Sequence, residues 1–381
     1  MKFNLIKRLP SSRRHSGFQL LMPIMILFLL VIVNLIVDSI LMKNNPETSS
    51  FFSIRMIKDT FGNNVFSGNI ISILNNASEL VILAIGMTLV TAASGGQDIS
   101  VGAAAAIAGS IFLKMVRLSG DVTWLPIIFA FLVCCVVAML FGAFNGALVA
   151  VFKIQPMIAT LILFTAGRSI AYGINGGASP KLFDDITKQI GTFFSGVPIP
   201  TPIFIVLLYI IGFYLLLKFT NLRLYAESVG INEKAARLNG LNPVAIKILV
   251  YVVLGLCVAA AGLINTCRMQ RLDHLGILSG IEMDAILAVA IGGNALSGGK
   301  FSITGSIIGA YTIETLNITL LRMRVDPEPI KAYKAVFIIL LMLASSPVVK
   351  EYVGNLWKRL RPLRQAQVHQ EERKLAVKGE A

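Results

Sequence analysis

Runs of about twenty apolar residues recur from residue 20 to residue 349, and no other feature constrains this chain as strongly. A helix rises about 1.5 Å per residue and the hydrocarbon layer is about 30 Å thick, so each run matches one membrane crossing. Ten segments meet that ruler: 20–42, 70–93, 98–118, 124–152, 157–174, 201–218, 246–266, 284–299, 302–322 and 333–349. The eighth is short and glycine-rich. Charged residues make up 14% of the 381, against roughly 25% in a soluble domain, while 55% are hydrophobic. A soluble globular fold is excluded, and the expected class is an all-α polytopic membrane protein of about ten transmembrane helices.

The formal net charge of +14 would suggest nucleic acid for a soluble chain, but here the cations cluster at the ends and in one loop. The N-terminal tail, 1–19, carries Lys2, Lys7, Arg8, Arg13 and Arg14. The C-terminal tail, 350–381, carries Lys350, Lys358, Arg359, Arg361, Arg364, Arg373, Lys374 and Lys378. The loop 219–245 and its flanks hold Lys218, Arg223, Lys234, Arg237 and Lys247. An even number of crossings puts all three regions on one side, which the positive-inside rule makes cytoplasmic. Arg322, Arg324, Lys331 and Lys334 fall on the outer side and weaken the bias. The first apolar run exceeds a signal-peptide core and lacks a clear small-x-small cleavage site, so it is retained as a crossing. The C-terminal tail, with Trp357, reads as a short amphipathic helix and then a disordered end.

Ser94, Gly95, Gly96 and Gly102 recur as Ser297, Gly298, Gly299 and Gly305, a constant offset of 305 − 102 = 203 residues. Such internal similarity accompanies transporters made of two related helical bundles. Enzyme chemistry finds no support. His15, His274 and His369 are far apart, and neither an HExxH zinc motif nor a GxSxG elbow occurs. The segment 293–301 fails as a phosphate loop because Phe301 stands where a magnesium-binding hydroxyl belongs. Cys134, Cys135, Cys257 and Cys267 lie within or beside apolar runs and read as packing residues. No catalytic residue, metal or cofactor is therefore expected.

Two sets of residues are candidates for function. Polar groups at membrane depth are costly and face a partner or a pathway, which singles out Glu79, Gln97, Asp98, Asn145, Arg168, Asn294, Glu314 and Asn317. Glycine-rich breaks at 95–98, 176–177 and 292–294 would expose backbone there. The GxxxG spacings 142–146 and 305–309 read as close helix packing. The second set lies in the cytoplasmic loop: Glu227, Gly230, Asn232, Glu233, Ala235, Ala236, Arg237 and Gly240. Asn232 suits a helix cap, Glu233 the first turn, Gly240 the end, and Ala235 with Ala236 would form a small-residue surface open to a partner protein.

The segment from Ala84-Ile85-Gly86-Met87-Thr88 through Gly95-Gly96-Gln97-Asp98-Ile99-Ser100-Val101-Gly102 resembles the GMTxVxxxGGxDLSVG stretch of ribose-type permeases of ATP-binding-cassette sugar importers. The resemblance continues in Asn145-Gly146, in Gly230 to Arg237, and in Asp284 to Gly293 followed by Leu296-Ser297-Gly298-Gly299, covering about residues 70 to 349. Lys153-Ile154-Gln155-Pro156, Ala159 to Leu163 and Ala166-Gly167-Arg168 are most similar to the galactofuranose type. Gln97 departs from the family's usual isoleucine. The resemblance implies a transmembrane permease domain over 20–349, with a coupling loop at 219–245, in the cytoplasmic membrane. Its implied partners are ATPase subunits that use the ATP, an extracytoplasmic sugar-binding protein, a second permease subunit and the bilayer, without nucleic acid. The residues alone leave open an ion-gradient-driven carrier of a small polar solute, for which Asp98, Glu79 and Glu314 are available carboxylates.

Overall fold

A computed structural model describes residues 13–44, 50–58, 62–120, 122–326 and a few further positions to 339. The chain divides into a unit that ends at Arg324 and a second that begins at Val325. The segment 333–349 falls largely outside the described residues, as do the basic C-terminal tail, Trp357, Lys2, Lys7 and Arg8.

The first unit is helical almost throughout. In chain order come α1 (Arg13–Asn44), strands β1 (Arg55–Lys58) and β2 (Asn64–Ser67), α2 (Asn69–Asn76), α3 (Ser78–Ser94), α4 (Val101–Leu118) and α5 (Trp124–Ala150). There follow α6 (Pro156–Ile174), α7 (Asp185–Gly191), α8 (Thr201–Phe219), α9 (Leu222–Ile231), α10 (Glu233–Leu238), α11 (Pro243–Met269), α12 (Ile281–Ile291) and α13 (Ile303–Arg322). Among the described residues six helices are long and apolar enough to cross a membrane: α1, α4, α5, α6, α8 and α11. α2 and α3, bent by 44° at their junction, make a seventh if taken as one broken crossing. The protein is therefore an all-α polytopic membrane protein. Two expected crossings differ in character. α12 has 11 residues and rises only about 16 Å. α13 is long enough, but Glu314, Asn317 and four threonines dilute its apolar character.

Small elements escaped the hydropathy ruler. β1 and β2 pair antiparallel, from Arg55 opposite Ser67 to Lys58 opposite Asn64. α7 is started by Asp184, whose carboxylate accepts the amides of Ile186 and Thr187, a cap of the kind acidic residues supply.

Every residue of α3 from Ser78 to Ala93 is buried, as befits a helix apolar on all sides. Beside it α11 packs closely against α5, α3 and α4. Glycines permit this: a Cβ on Gly146 would meet the Ile248 Cα at 2.9 Å, and one on Gly142 would strike the Tyr251 carbonyl. The GxxxG spacings are thus helix contacts, Gly309 doing the same against Ala288. All four cysteines are buried and unpaired. α1 packs on α13 through Asn34, which donates to Thr319 Oγ1 at 2.9 Å, and through an Asp38–Arg322 ion pair. Arg322 is thus neutralised inside the fold and is no loose cation of an outer loop.

Candidate functional site

Both copies of the repeated glycine motif are breaks between two helices, and the two breaks lie against each other. α3 ends at Gly95, which adopts φ of 63° and donates its amide to the Thr91 carbonyl. The chain then runs non-helically to Ser100, the residue before α4. Asp98 holds this break: its Oδ1 accepts the Ser100 amide at 2.7 Å and the Ser100 hydroxyl at 2.6 Å. Asn145 of α5 donates to Asp98 Oδ2 at 3.3 Å and to Ser100 Oγ at 2.9 Å. These groups are buried, and their mutual bonding is what makes polar side chains tolerable there.

Asn294 plays the equivalent part between α12 and α13. Its Oδ1 accepts the Ser302 amide at 2.6 Å, while its Nδ2 donates to Val289 O and to Ser306 Oγ, 3.1 and 2.9 Å away. Thr88 of α3 donates to the same Ser306 hydroxyl at 2.7 Å. The breaks are then tied directly. Gln97 Nε2 donates to Leu296 O at 2.9 Å and the Gly299 amide to Ala92 O at 3.0 Å. A Cβ on Gly95 would lie 2.8 Å from Ser297 O, so the small residues of each copy are required by the other.

Four of the eight predicted pathway residues belong to this crossing: Gln97, Asp98, Asn145 and Asn294. The other four do not. Glu79 forms a buried ion pair with Arg268 of α11 at 3.0 Å, and Arg268 also donates to Asn75 O. Arg168 of α6 donates from Nη1 to the carbonyls of His274, Leu275 and Ile277, strapping down the loop before α12. Glu314 accepts from Asn317 at 3.0 Å on their own helix. Gly176 and Gly177, with φ of 63° and 79°, turn the chain after α6 and break no helix. Sequence reasoning missed Glu282, buried at the start of α12. A Cβ on Gly102 would lie 2.6 Å from its Oε2 and 3.3 Å from Arg168 Nη2. Its signal was a carboxylate at the head of an apolar helix.

The loop after α8 folds as two short helices. Asn232 Oδ1 accepts the Ala235 amide at 3.1 Å, as a helix cap should. Gly240 follows α10 with φ of 81°. Glu233 is bound by Lys247 of α11 at 2.7 Å and faces Arg237 at 3.8 Å. The Lys247 hydrogen bond holds the Glu233 carboxyl below the usual range, with both cations adding to the effect. Glu227 pairs with Arg223 at 3.4 Å. One loop residue departs from the expected outward surface, and another turns toward the fold. Ala236 is buried among Val229 and Ile246, because it lies on the α10 face that packs inward. Gly230 has its Cβ direction aimed at Ala92 O and at Gly299 N, 2.7 Å away, so it presses on the crossing itself. Ala235 is exposed as expected. Within α9 and α10 the most exposed large apolar side chains are Leu238, at 89%, and Ile231, at 74%.

Among the described residues no group of three or more His, Cys, Asp or Glu could hold a metal. The arrangement is that of a multi-pass helical membrane protein in which two interrupted helix pairs meet and an exposed helical pair rests on their junction. From residue 69 to 346 the chain matches the permease component family described as branched-chain amino acid transport system / permease component, and it belongs to that family. It is 41% identical over 281 residues to the galactofuranose transporter permease protein YtfT of Escherichia coli K12, covering 73% of this chain and 80% of that one. It is 35% identical over 303 residues to the fructose import permease protein FruF of Bifidobacterium longum, covering 78% and 83%. To the ribose import permease protein RbsC of E. coli K12 it is 34% identical over 294 residues, covering 76% and 89%. No solved structure matches the chain significantly.

Proposed function

We propose that this protein is the membrane-spanning subunit of an ATP-binding-cassette importer that carries a monosaccharide of the ribose or galactofuranose class across the cytoplasmic membrane. The relatives named for galactofuranose, fructose and ribose import support the substrate class. In this reading the chain makes about ten crossings in two related bundles, counting the short α12, with both termini in the cytoplasm. It pairs with a second permease subunit, receives sugar from an extracytoplasmic binding protein, and has no ATPase site of its own.

The observation that carries the proposal is the seat of α9 and α10. The pair presents Leu238 and Ile231 outward, while Gly230 bears on Ala92 and Gly299, where the two breaks are joined by one backbone hydrogen bond. A partner ATPase gripping the exposed side would push directly on that junction. Two packings of the breaks, each favoured by a different state of the partner, would expose the path alternately to the two sides. Gln97, Asp98, Asn145 and Asn294 border the place that moves. The carboxylates an ion-driven carrier would use are already engaged: Glu79 by Arg268, Asp98 by Ser100 and Asn145, and Glu314 by Asn317.

Reconstitution into vesicles with the partner ATPase and binding protein tests this. ATP should drive sugar uptake without an ion gradient. Uptake by the chain alone, driven by a proton or sodium gradient, would replace this reading with that of a secondary carrier. Gly240→Trp should abolish ATP-driven uptake while leaving the permease in the membrane.

A further inference from the structure

A cavity of about 480 Å³ opens between α1, α8, the start of α9 and the start of α13, and the end of the α12–α13 break supplies Phe301 and Ser302 to its lining. Its walls are half-buried aliphatic side chains: Ile210 and Leu217 from α8, Ile303 and Ile307 from α13. On the same helix α8, Leu207, Leu208, Ile211 and Leu215 are exposed, so the apolar wall continues into the membrane-facing surface. Two exposed cations, Lys218 and Arg223, also line the cavity. The Arg223 guanidinium is held 5.5 Å from the centre of the buried Phe301 ring. Its one carboxylate partner among the described residues is Glu227, at 3.4 Å and partly exposed. Lys218 has none among them.

An apolar trough opening toward lipid, with two cations against a single partly exposed carboxylate beside a membrane boundary, fits an amphiphile with an anionic head. We infer that this groove is a binding site for an anionic phospholipid, its phosphate placed between Lys218 and Arg223 and its acyl chains along α8 and α13. A soluble phosphate would use the cations and leave the aliphatic walls unexplained. A zwitterionic lipid would use the walls and leave the paired cations unexplained. The inference does not depend on the transported solute or on its energy source.

The test uses the purified full chain in detergent, offered equal amounts of phosphatidylglycerol and phosphatidylcholine with identical acyl chains, with retained lipid counted by native mass spectrometry. A cation near an anionic head is worth roughly fivefold in affinity. Lys218→Gln with Arg223→Gln should therefore cut the preference for phosphatidylglycerol about twenty-fivefold. Lys218→Gln alone, at an exposed position, should cut it about fivefold and keeps the test readable if the double variant folds poorly. Ile210→Trp should reduce retention of both lipids at an unchanged melting temperature. Equal retention of the two lipids by the unaltered chain would overturn the inference, as would undiminished preference in the double variant. Displacement of the lipid by millimolar inorganic phosphate would assign the cations to a soluble anion and overturn it too. So would cross-linking of Ile210→Cys between two copies in the assembled complex, which would make the groove a protein interface.

Discussion

Gly230→Ala probes the link between the exposed helices and the crossing with a single methyl group. In the structure that methyl would stand 2.7 Å from Gly299 N and nearer still to Ala92 O. Ordinary contact begins at 3.4 Å, so relief at Gly299 alone takes 3.4 − 2.7 = 0.7 Å, and the closer contact with Ala92 O on α3 requires α9 to retreat further than that. Overpacking against backbone costs about 1–3 kcal/mol. The Gly299-to-Ala92 hydrogen bond, 3.0 Å long at the same spot, adds about 1 kcal/mol if it is lost. A destabilisation of about 2–4 kcal/mol should appear as a clear drop in melting temperature in detergent, together with ATP hydrolysis that no longer produces uptake. Leu238→Ser is the control. At 89% exposure it should leave the melting temperature nearly unchanged, within about 0.5 kcal/mol, yet still uncouple hydrolysis from uptake. Normal coupling in Gly230→Ala at an unaltered melting temperature would refute the contact as a transmitting element. A loss of stability equal in both variants would mean that Leu238 is structural.

Other substitutions separate structural charge from transport chemistry. Glu79→Ala should cost about 2–3 kcal/mol, below the 3–5 typical of fully buried pairs, because Arg268 keeps 21% exposure and its bond to Asn75. A double-mutant cycle with Arg268→Ala should recover most of that loss in thermal melts, and additive effects would count against the pair. Asp98→Ala leaves the Ser100 amide and hydroxyl without their acceptor and takes one of two acceptors from the Asn145 amide group, and should destabilise by about 2–4 kcal/mol. Asp98→Asn should keep most uptake; a folded but inactive Asp98→Asn protein would point to an ionic role for the carboxylate. Because the Glu233 carboxyl is held low by Lys247, its contribution is present above the unfolded-state value of about 4.3 and fades as pH falls through the folded value. Glu233→Gln should therefore lower stability slightly at neutral pH and match the unaltered protein at strongly acid pH, read from melting curves across that range.

The long crossings were legible because lipid imposes a length, and α4, α5, α6 and α8 start and stop within a few residues of their apolar runs. The Asn232 cap and the Gly240 stop were legible for a different reason: capping is local, decided by side chains within one turn. What the sequence could not settle was direction around a helix axis. α10 has six residues, too few for an apolar periodicity to tell which alanine turns inward, and Ala236 proved buried while Leu238 stands out. Nor does hydropathy reveal pairings between helices. Glu79 with Arg268, and Asp38 with Arg322, join residues 189 and 284 positions apart. The charges were visible in the sequence, but their neutralisation depends on tertiary packing.

The repeat carries more weight in three dimensions than along the chain. Four matched small residues at one offset are weak evidence in a chain with 32 glycines, yet a Cβ on Gly298 would approach the Gly95 Cα to 3.0 Å. Gly298 is thus held small by Gly95, the residue it copies, and Gly95 by Ser297 of the other break, so the two breaks pack on each other at the repeated motif itself. That pairing also bears on how motion would spread. Through Gln97 and Leu296, Thr88 and Ser306, and Ala92 and Gly299, one break cannot shift without breaking hydrogen bonds to the other. A push at Gly230, which touches both sides of the Ala92–Gly299 bond, therefore reaches the two helix pairs together. If the pairs instead moved independently, Gln97→Leu, which removes one tie but keeps side-chain bulk, would leave uptake untouched. The shared junction predicts a lower uptake rate at a melting temperature reduced by about 1 kcal/mol of stability, the usual net worth of one such bond.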